Sequence, residues 1–236
     1  MTSWLKSSET ITEALHLPLG HAEYVATHRL QERLHRLRCQ NAVPDTILTV
    51  EHNPVFTIGR SGSAENILVP EQVLKNAGIS VHRIERGGDI TYHGPGQLVV
   101  YPIVDLRVHG RDLKRYVSNL EQAVINFLEK VGVKARRRAG FPGVWVDSRK
   151  IASVGVYVKH WVTRHGLALN VDIDKGPFSM INPCGLDIEV LSLADLVPEC
   201  PSMEEAAAGL LTELGTLCSW HLTVGDPQKY RGERYA

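Results

Sequence analysis

The chain has 236 residues, and its 26 Lys and Arg balance 26 Asp and Glu, so its overall field does not suit a nucleic-acid binder. Four cysteines (Cys39, Cys184, Cys200, Cys218) with no C-x-x-C pair exclude a disulfide scaffold and a zinc ribbon, and they fit a reducing compartment. No run approaches the roughly 18 apolar residues of a membrane helix, and Met1–Thr10 has neither an apolar signal core nor an arginine, so a cytoplasmic protein is expected, or an organellar one from which a leader was removed. A domain of this length buries roughly 70–75% of its unfolded surface and needs no metal or disulfide to fold.

In chain order, Ala22, Val25, Ala26, Leu30, Leu34 and Leu37 fall at helical spacing and predict a helix over His21–Arg38. Thr46–Val50 and Val55–Ile58 read as strands split by Asn53 and Pro54. Pro70–Ala77 is a short helix with Pro at its start and Gly78 past its end, and Ile79–Ile84 alternates as a strand. Leu98–Val104 is a nearly continuous apolar run, the pattern of a central strand buried on both faces. Asp112 caps a long helix, and Val144–Val146 and Ile151–Val158 are strands joined at Asp147-Ser148-Arg149-Lys150, which puts Lys150 at a hairpin end. Leu167–Ile173 is another strand, and Ser202 with Glu205 forms the capping box of the last helix. Strands in the middle with helices between and at the ends predict an α/β or α+β arrangement around one core.

Several segments could carry chemistry. Arg86 to Gly96 holds four glycines in eleven residues, which lets backbone approach a ligand closely, although a tight turn explains it equally well. Neither a Walker loop nor a G-x-G-x-x-G spacing is present, so nucleotide binding is unsupported there. Pro183-Cys184-Gly185 sets the one cysteine in a context built for access; a buried structural cysteine is the plainer reading of that segment alone. Lys150 at a hairpin, followed by the small Ser153 and Gly155 on one strand face, and His165-Gly166 beside Ala168 are weaker signals, each compatible with ordinary strands. Among the eleven histidines no H-E-x-x-H occurs, and His28 and His35 are two helical turns apart, so no metal is expected. Arg136-Arg137-Arg138 is either a solvated face or a contact for an acidic partner.

Taken together and in order, these blocks resemble the lipoyl(octanoyl) transferase (LipB) family. The blocks are Glu51-His52-Asn53-Pro54, Thr57-Ile58-Gly59-Arg60, Arg86 through Leu98, Gly143-Val144-Trp145-Val146, Lys150-Ile151-Ala152-Ser153-Val154-Gly155, His165 through Asn170 and Asn182-Pro183-Cys184-Gly185-Leu186, spanning about Tyr24 to Leu193. The resemblance implies one domain over 1–236, with a core of about 24–220, of the biotin and lipoate protein ligase catalytic type: a mixed sheet flanked by helices. It implies transfer of an octanoyl group from octanoyl-acyl carrier protein to a lysine of lipoyl domains, those of 2-oxoacid dehydrogenase complexes and the glycine cleavage H protein. It implies Cys184 as the acyl-accepting nucleophile and Lys150 as its activator. Arg86, Gly87, Gly88, Asp89, Ile90, Thr91, Tyr92 and His93, then Ser153, Val154 and Gly155, then Gly166, Leu167 and Ala168 match the family's substrate-binding segments. Arg60 and His165 are additional candidates, and no cofactor is implied. One departure is Tyr157, where many members carry a basic residue.

The chemistry agrees with these residues. A free thiol with a pKa of about 8.5 is only a few per cent thiolate at pH 7 and needs help. Lys150 supplies it either as an ammonium that stabilises the thiolate or as a neutral amine that takes its proton; the sequence leaves both open. An ATP-dependent lipoate or biotin ligase on the same fold is the alternative enzyme, and a non-catalytic carrier-binding module the alternative of another class.

Overall fold

The computed structural model describes residues 11–183 and 188–231. In chain order the elements are β1 (Thr12–Ala22), α1 (Tyr24–Cys39), β2 (Asp45–His52), β3 (Val55–Ile58), α2 (Glu71–Asn76), β4 (Ser80–Arg83), β5 (Ile90–His93) and β6 (Gln97–Ile103). Then follow α3 (Leu113–Lys130), β7 (Arg136–Arg138), β8 (Phe141–Val146), β9 (Arg149–Lys159), β10 (Val162–Asn170), α4 (Met203–Cys218) and β11 (Trp220–Val224). Eight strands make one mixed sheet in the order β11-β1-β2-β6-β10-β9-β8-β7; a second sheet runs β4-β3-β5. The pairs of β1 with β11 and with β2 are parallel, and the rest of the large sheet is antiparallel.

The apolar runs explain the centre. All seven residues of β6 and all nine of β10 are buried, as expected of strands covered on both faces. On one face lie α3 and α4, packed against Val144, Ile151, Leu167 and Leu169. The Asp112 carboxylate caps α3 by accepting from Arg115 N–H, and Ser202 and Glu205 cap α4 reciprocally. Leu120 and Leu128 of α3 are fully buried, each contributing on the order of 1.5–3 kcal/mol. On the other face α1 packs on β6 and β10 through Leu30 and Leu34. The small sheet closes over a third apolar cluster around Phe56, Tyr92 and Phe178.

Several boundaries differ from expectation. The helix expected from His21 begins at Tyr24, because His21 and Ala22 are spent pairing with Glu51 and His52 of β2. The core extends beyond 24–220: β1 lies between β11 and β2, with Leu17 fully buried. Ile90–His93, inside the glycine-rich segment, is a strand paired to β3. Strand β10 runs Val162–Asn170, so it begins five residues before the expected Leu167–Ile173 and includes His165 and Gly166. The hairpin turn is Asp147-Ser148, and Lys150 is the second residue of β9, opposite Trp145.

Candidate active site

A cleft of about 340 Å³ lies between the large sheet and the segment that joins β4 to β5. Its floor follows from strand register. Ser153 of β9 pairs with Ala168 of β10, which pairs with Val99 of β6; one row further on, Gly155 pairs with Gly166. Four small side chains thus lie on one face of adjacent strands and leave room above the sheet. Gly166 is obligatory for the floor itself, since a Cβ there would come within 2.2 Å of the Val100 carbonyl oxygen.

The roof is Arg86-Gly87-Gly88-Asp89. Gly87 N–H donates to Val156 O at 2.9 Å, pinning the roof to β9. The Arg86 guanidinium, 8% exposed, is turned inward: Nη2 donates to Thr57 O (2.6 Å) and to Thr57 Oγ1 (2.9 Å), and Nη1 donates to Gly87 O (3.1 Å). Its burial lowers its pKa. The Asp89 carboxylate accepts from Asn66 Nδ2 at 2.7 and 2.8 Å and from Ile90 N–H at 2.6 Å. Both acidic and basic ends of the roof are therefore held by the small-sheet side of the protein.

At one end of the cleft stands Lys150. Its Nζ donates to Pro142 O at 3.2 Å and lies 4.8 Å from the centre of the Trp145 ring. The Pro142–Gly143 corner is itself positioned: Gly143 N–H donates to Glu121 Oε1 at 2.9 Å, and Glu121 pairs with Arg137 at 3.0 Å. Cys184, with Gly185 and Leu186, lies outside the described residues. Its flanks do not. Pro183 and Ile188 both line the cleft, Asn182 N–H donates to Asn66 O, and Lys150 N–H donates to Glu189 O while Leu191 N–H donates to Lys150 O.

At the other end are Tyr24, Tyr101, His93 and His165. His93 donates through Nδ1 to Gln97 Oε1 (2.7 Å), Gln97 donates to Asn170, and Asn170 donates to Leu191 O, a buried relay from the roof strand to the chain beside Lys150. Burial and the neighbouring His52 depress the His93 pKa to about 3, so it is a neutral imidazole at pH 7. His52, depressed to about 4 by burial, donates from Nδ1 to Ala22 O and accepts from the Tyr101 hydroxyl at 2.9 Å. His165 has a left-handed backbone (φ 58°), which breaks strand alternation so that Arg164 and His165 both reach Glu85, at 2.7 and 3.2 Å. His28 joins the same carboxylate at 3.3 Å. Burial raises the Glu85 pKa, but the hydrogen bonds from His165 and His28 outweigh it and leave Glu85 well below the usual carboxylate range.

Of the residues nominated from sequence, Arg86, Gly87, Gly88, Asp89, Ile90, Thr91, His93, Lys150, Ser153, Val154, Gly155, His165, Gly166, Leu167 and Ala168 all line this one cleft. Tyr92 does not: alternation along β5 sends its ring the other way, edge-on to Phe56 and Phe178, and burial raises its pKa to about 12. Arg60 is exposed and off the cleft; only its N–H takes part, donating to Arg86 O. Arg137 of the basic run serves Glu121, and Arg138 lies over Phe141. Thr57, Glu85, Tyr24, Tyr101 and Trp145 had no assigned role from sequence, because their roles come from long-range contacts. His28, Glu85 and His165 present donor atoms within 4.8 Å of one another and are the one metal-capable group among the described residues. Arg164 already holds the shared Glu85 oxygen, so an ion-pair network accounts for the grouping.

The family model for the lipoyl protein ligase A/B catalytic domain matches residues 23–215. An octanoyltransferase of Pelobacter propionicus is 44% identical over 209 residues, covering 88% of this chain and 97% of the relative. One of Solibacter usitatus is 48% identical over 178 residues, covering 75% and 81%. The fold is that of lipoate-protein ligase A, solved with ATP bound: TM-score 0.78 at 18% identity, covering 93% of this chain and 91% of the other. The chain therefore belongs to the lipoyl protein ligase A/B catalytic-domain family, and within it to the octanoyltransferases.

Proposed function

We propose that this protein moves an octanoyl group from octanoyl-acyl carrier protein to a lysine of lipoyl domains through a thioester on Cys184. The acceptors in this reading are the lipoyl domains of 2-oxoacid dehydrogenase complexes and the glycine cleavage H protein. The observation that carries it is the cleft: Lys150 stands at one end, small residues floor it, and both flanks of the Cys184 segment line it or bond to Lys150.

The Cys184 thiolate attacks the donor thioester carbonyl, a C–S bond to Cys184 forms, and the C–S bond to the carrier's pantetheine breaks. Lys150 gives a proton to the leaving thiolate. An acceptor lysine then attacks the Cys184 thioester as a neutral amine, an amide forms, and Cys184 leaves. Lys150 takes the proton the amine sheds, so the enzyme ends as it began. A backbone N–H of the roof would hold the oxyanion; Gly87 N–H is already given to Val156 O, which leaves Gly88 N–H as the roof candidate. Thioester exchange is close to isoenergetic and aminolysis of a thioester runs downhill, so the sequence of steps needs no ATP. The eight-carbon chain lies on the small-residue floor, where each buried CH₂ is worth about 0.8 kcal/mol.

The test is intact mass after mixing with octanoyl-acyl carrier protein in the absence of ATP. One added octanoyl group, released by hydroxylamine and absent from Cys184→Ala, is expected. Transfer that appears only with ATP and free octanoate would make the protein a ligase, the activity of its more distant fold relatives. No acylation, with tight carrier binding alone, would make it a binding module. No helix among the described residues is long and apolar enough to cross a membrane, and a cytoplasmic site of action is part of this proposal.

A further inference from the structure

The cleft opens to solvent at its Lys150 end. Tyr24, Tyr101, His93 and His165 at the other end are buried, whereas Gly140 and Pro142 are exposed and Phe141 and Lys150 partly exposed. A donor that brings its thioester to Lys150 therefore enters past the corner between β7 and β8. Strand parity sorts the three arginines of β7 beside that entrance. Arg137 turns to α3, where Nε donates to Glu121 Oε2 at 3.0 Å and Nη2 donates to Ser118 O at 2.7 Å. Its neighbours Arg136 and Arg138 take the opposite face of the sheet, the one that carries the cleft.

Arg138 is held against apolar surface at this rim. Its guanidinium carbon lies 4.4 Å from the centre of the Phe141 ring, and Phe141 lines the cleft. The same carbon lies 5.1 Å from the Trp145 ring centre and Lys150 Nζ lies 4.8 Å from it, so the two charges are at most about 10 Å apart. Arg136 pairs with Trp145, which pairs with Lys150, so its backbone is two strand spacings, about 10 Å, from that of Lys150. Arg136 Nη2 donates to the Asp147 backbone carbonyl at 3.1 Å. Among the described residues neither arginine pairs with a carboxylate. An aromatic face steadies a guanidinium without using its N–H groups, so the fork of Arg138 keeps its donors for a ligand.

A carrier-bound acyl group arrives on a phosphopantetheine arm, an uncharged thioester chain joined to its protein by a phosphodiester. About thirteen bonds run from its sulfur to its phosphorus, roughly 15 Å when extended at about 3.5 Å per three bonds. With the sulfur within hydrogen-bond reach of Lys150, the phosphate lies no further than that from the end of the cleft, and Arg136 and Arg138 stand inside the same radius. The arm's one fixed charge is negative, and guanidinium forks match phosphate oxygens two at a time. An acceptor lysine, whose side chain spans only about 6 Å, brings no such group. We propose that Arg136 and Arg138 are the seat for the phosphodiester of the donor's prosthetic arm. This rests on the acyl-transfer reading of the cleft and extends it to a surface outside the thioester chemistry.

The experiment uses donors that differ by that one group, octanoyl-phosphopantetheine and octanoyl-pantetheine, beside octanoyl-acyl carrier protein, with a lipoyl domain as acceptor. Calorimetry separately measures binding of phosphopantetheine and pantetheine without the acyl group. Arg138→Gln and Arg136→Gln remove the two charges one at a time at exposed positions, and thermal unfolding establishes that each variant is folded. The parent should use the phosphorylated donor about tenfold better or more in kcat/KM. Each variant should lose most of that preference through KM, while its kcat/KM with octanoyl-pantetheine stays within about twofold of the parent. A parent with no preference overturns the seat and leaves octanoyl transfer standing. Equal losses with both donors make the arginines props of the Phe141–Trp145 corner and overturn it as well. A rise in KM for the lipoyl domain alone gives this surface to the acceptor, which also overturns it. If no donor is used and Cys184 is never acylated, the transferase reading falls; a phosphate preference in arm binding that the variants lose would still support the seat, and its absence would overturn both.

Discussion

Removing one hydroxyl from the small sheet should loosen the roof of the active site. Thr57 is fully buried on β3, and its Oγ1 is one of the acceptors that hold the inward-facing Arg86 guanidinium, at 2.9 Å. Among the described residues no carboxylate pairs with Arg86, so neutral acceptors carry its charge. Thr57→Val keeps the shape and deletes the acceptor. A hydrogen bond to a charged group is worth about 1.5–3 kcal/mol. The Thr57 carbonyl still accepts from the same nitrogen at 2.6 Å, so the lower part of that range applies, about 1.5–2 kcal/mol. For a chain of this size that is a fall in Tm of about 3–8 °C. The roof consequence is separate: Gly88 O closes against Gly59, where a Cβ would come within 2.3 Å, so a shifted Arg86 moves Gly87 and Gly88 off their seat. Urea unfolding and transfer kinetics on Thr57→Val and Thr57→Ser read both effects. Valine should lower stability and raise KM for the octanoyl donor several-fold; serine, which restores the acceptor, should stay within about 0.5 kcal/mol of the parent. If valine and serine unfold at the same urea concentration and share one KM, the hydroxyl does not hold Arg86 and the account of the roof is wrong.

Gly143 has φ 120°, and a Cβ on it would approach Ala152 O to 2.4 Å and Lys150 Cε to 3.4 Å; Gly143→Ala should cost about 2–3 kcal/mol of stability and more than tenfold in kcat, and a variant with parental kcat would show that this corner does not set Lys150. Acid should destabilise the protein early. His52 titrates near 6.5 unfolded but only near 4 folded, so its contribution is complete above pH 6.5 and is lost as pH falls toward 4. Between pH 7 and 4.5 the parent should lose on the order of 2–3 kcal/mol more than His52→Gln, and parallel losses in equilibrium unfolding would assign the acid sensitivity elsewhere.

The legible parts of the fold were those set by local pattern. Val55–Ile58, the Asp112 cap and the Ser202–Glu205 box stand where spacing put them, because cap and alternation are short-range physics. Strands β1 and β11 were illegible for the same reason inverted. TEALHLPLGHA contains a proline and a glycine and alternates poorly, and it is a strand because β2 and β11 flank it. The register break between Pro18 and His21 absorbs those two residues. Arg164 and His165 lie outside the expected strand Leu167–Ile173 yet inside β10; charge is rare within a strand, and Glu85, some eighty residues earlier, is what allows it.

The ordered sequence blocks mix two kinds of constraint that look alike in one dimension. Ser153, Gly155, Gly166 and Ala168 share one face of two paired strands and leave the cleft its room. Thr57 and Gly59 are just as restricted, yet they touch the roof from behind: one accepts from Arg86, the other leaves space for Gly88 O. Gly96 faces the Asp172 backbone, where a Cβ would come within 2.0 Å, and its carbonyl accepts from both Val171 and Asp172 N–H, so its demand is for chain packing. Tyr92 sits in the middle of the binding block and points away from it. A block of restricted residues thus locates a site to within a segment. Which of its members meet the substrate is decided by strand parity and by partners distant in sequence, and those partners, Thr57, Glu85 and Glu121, are where substitutions should change the reaction without touching the substrate.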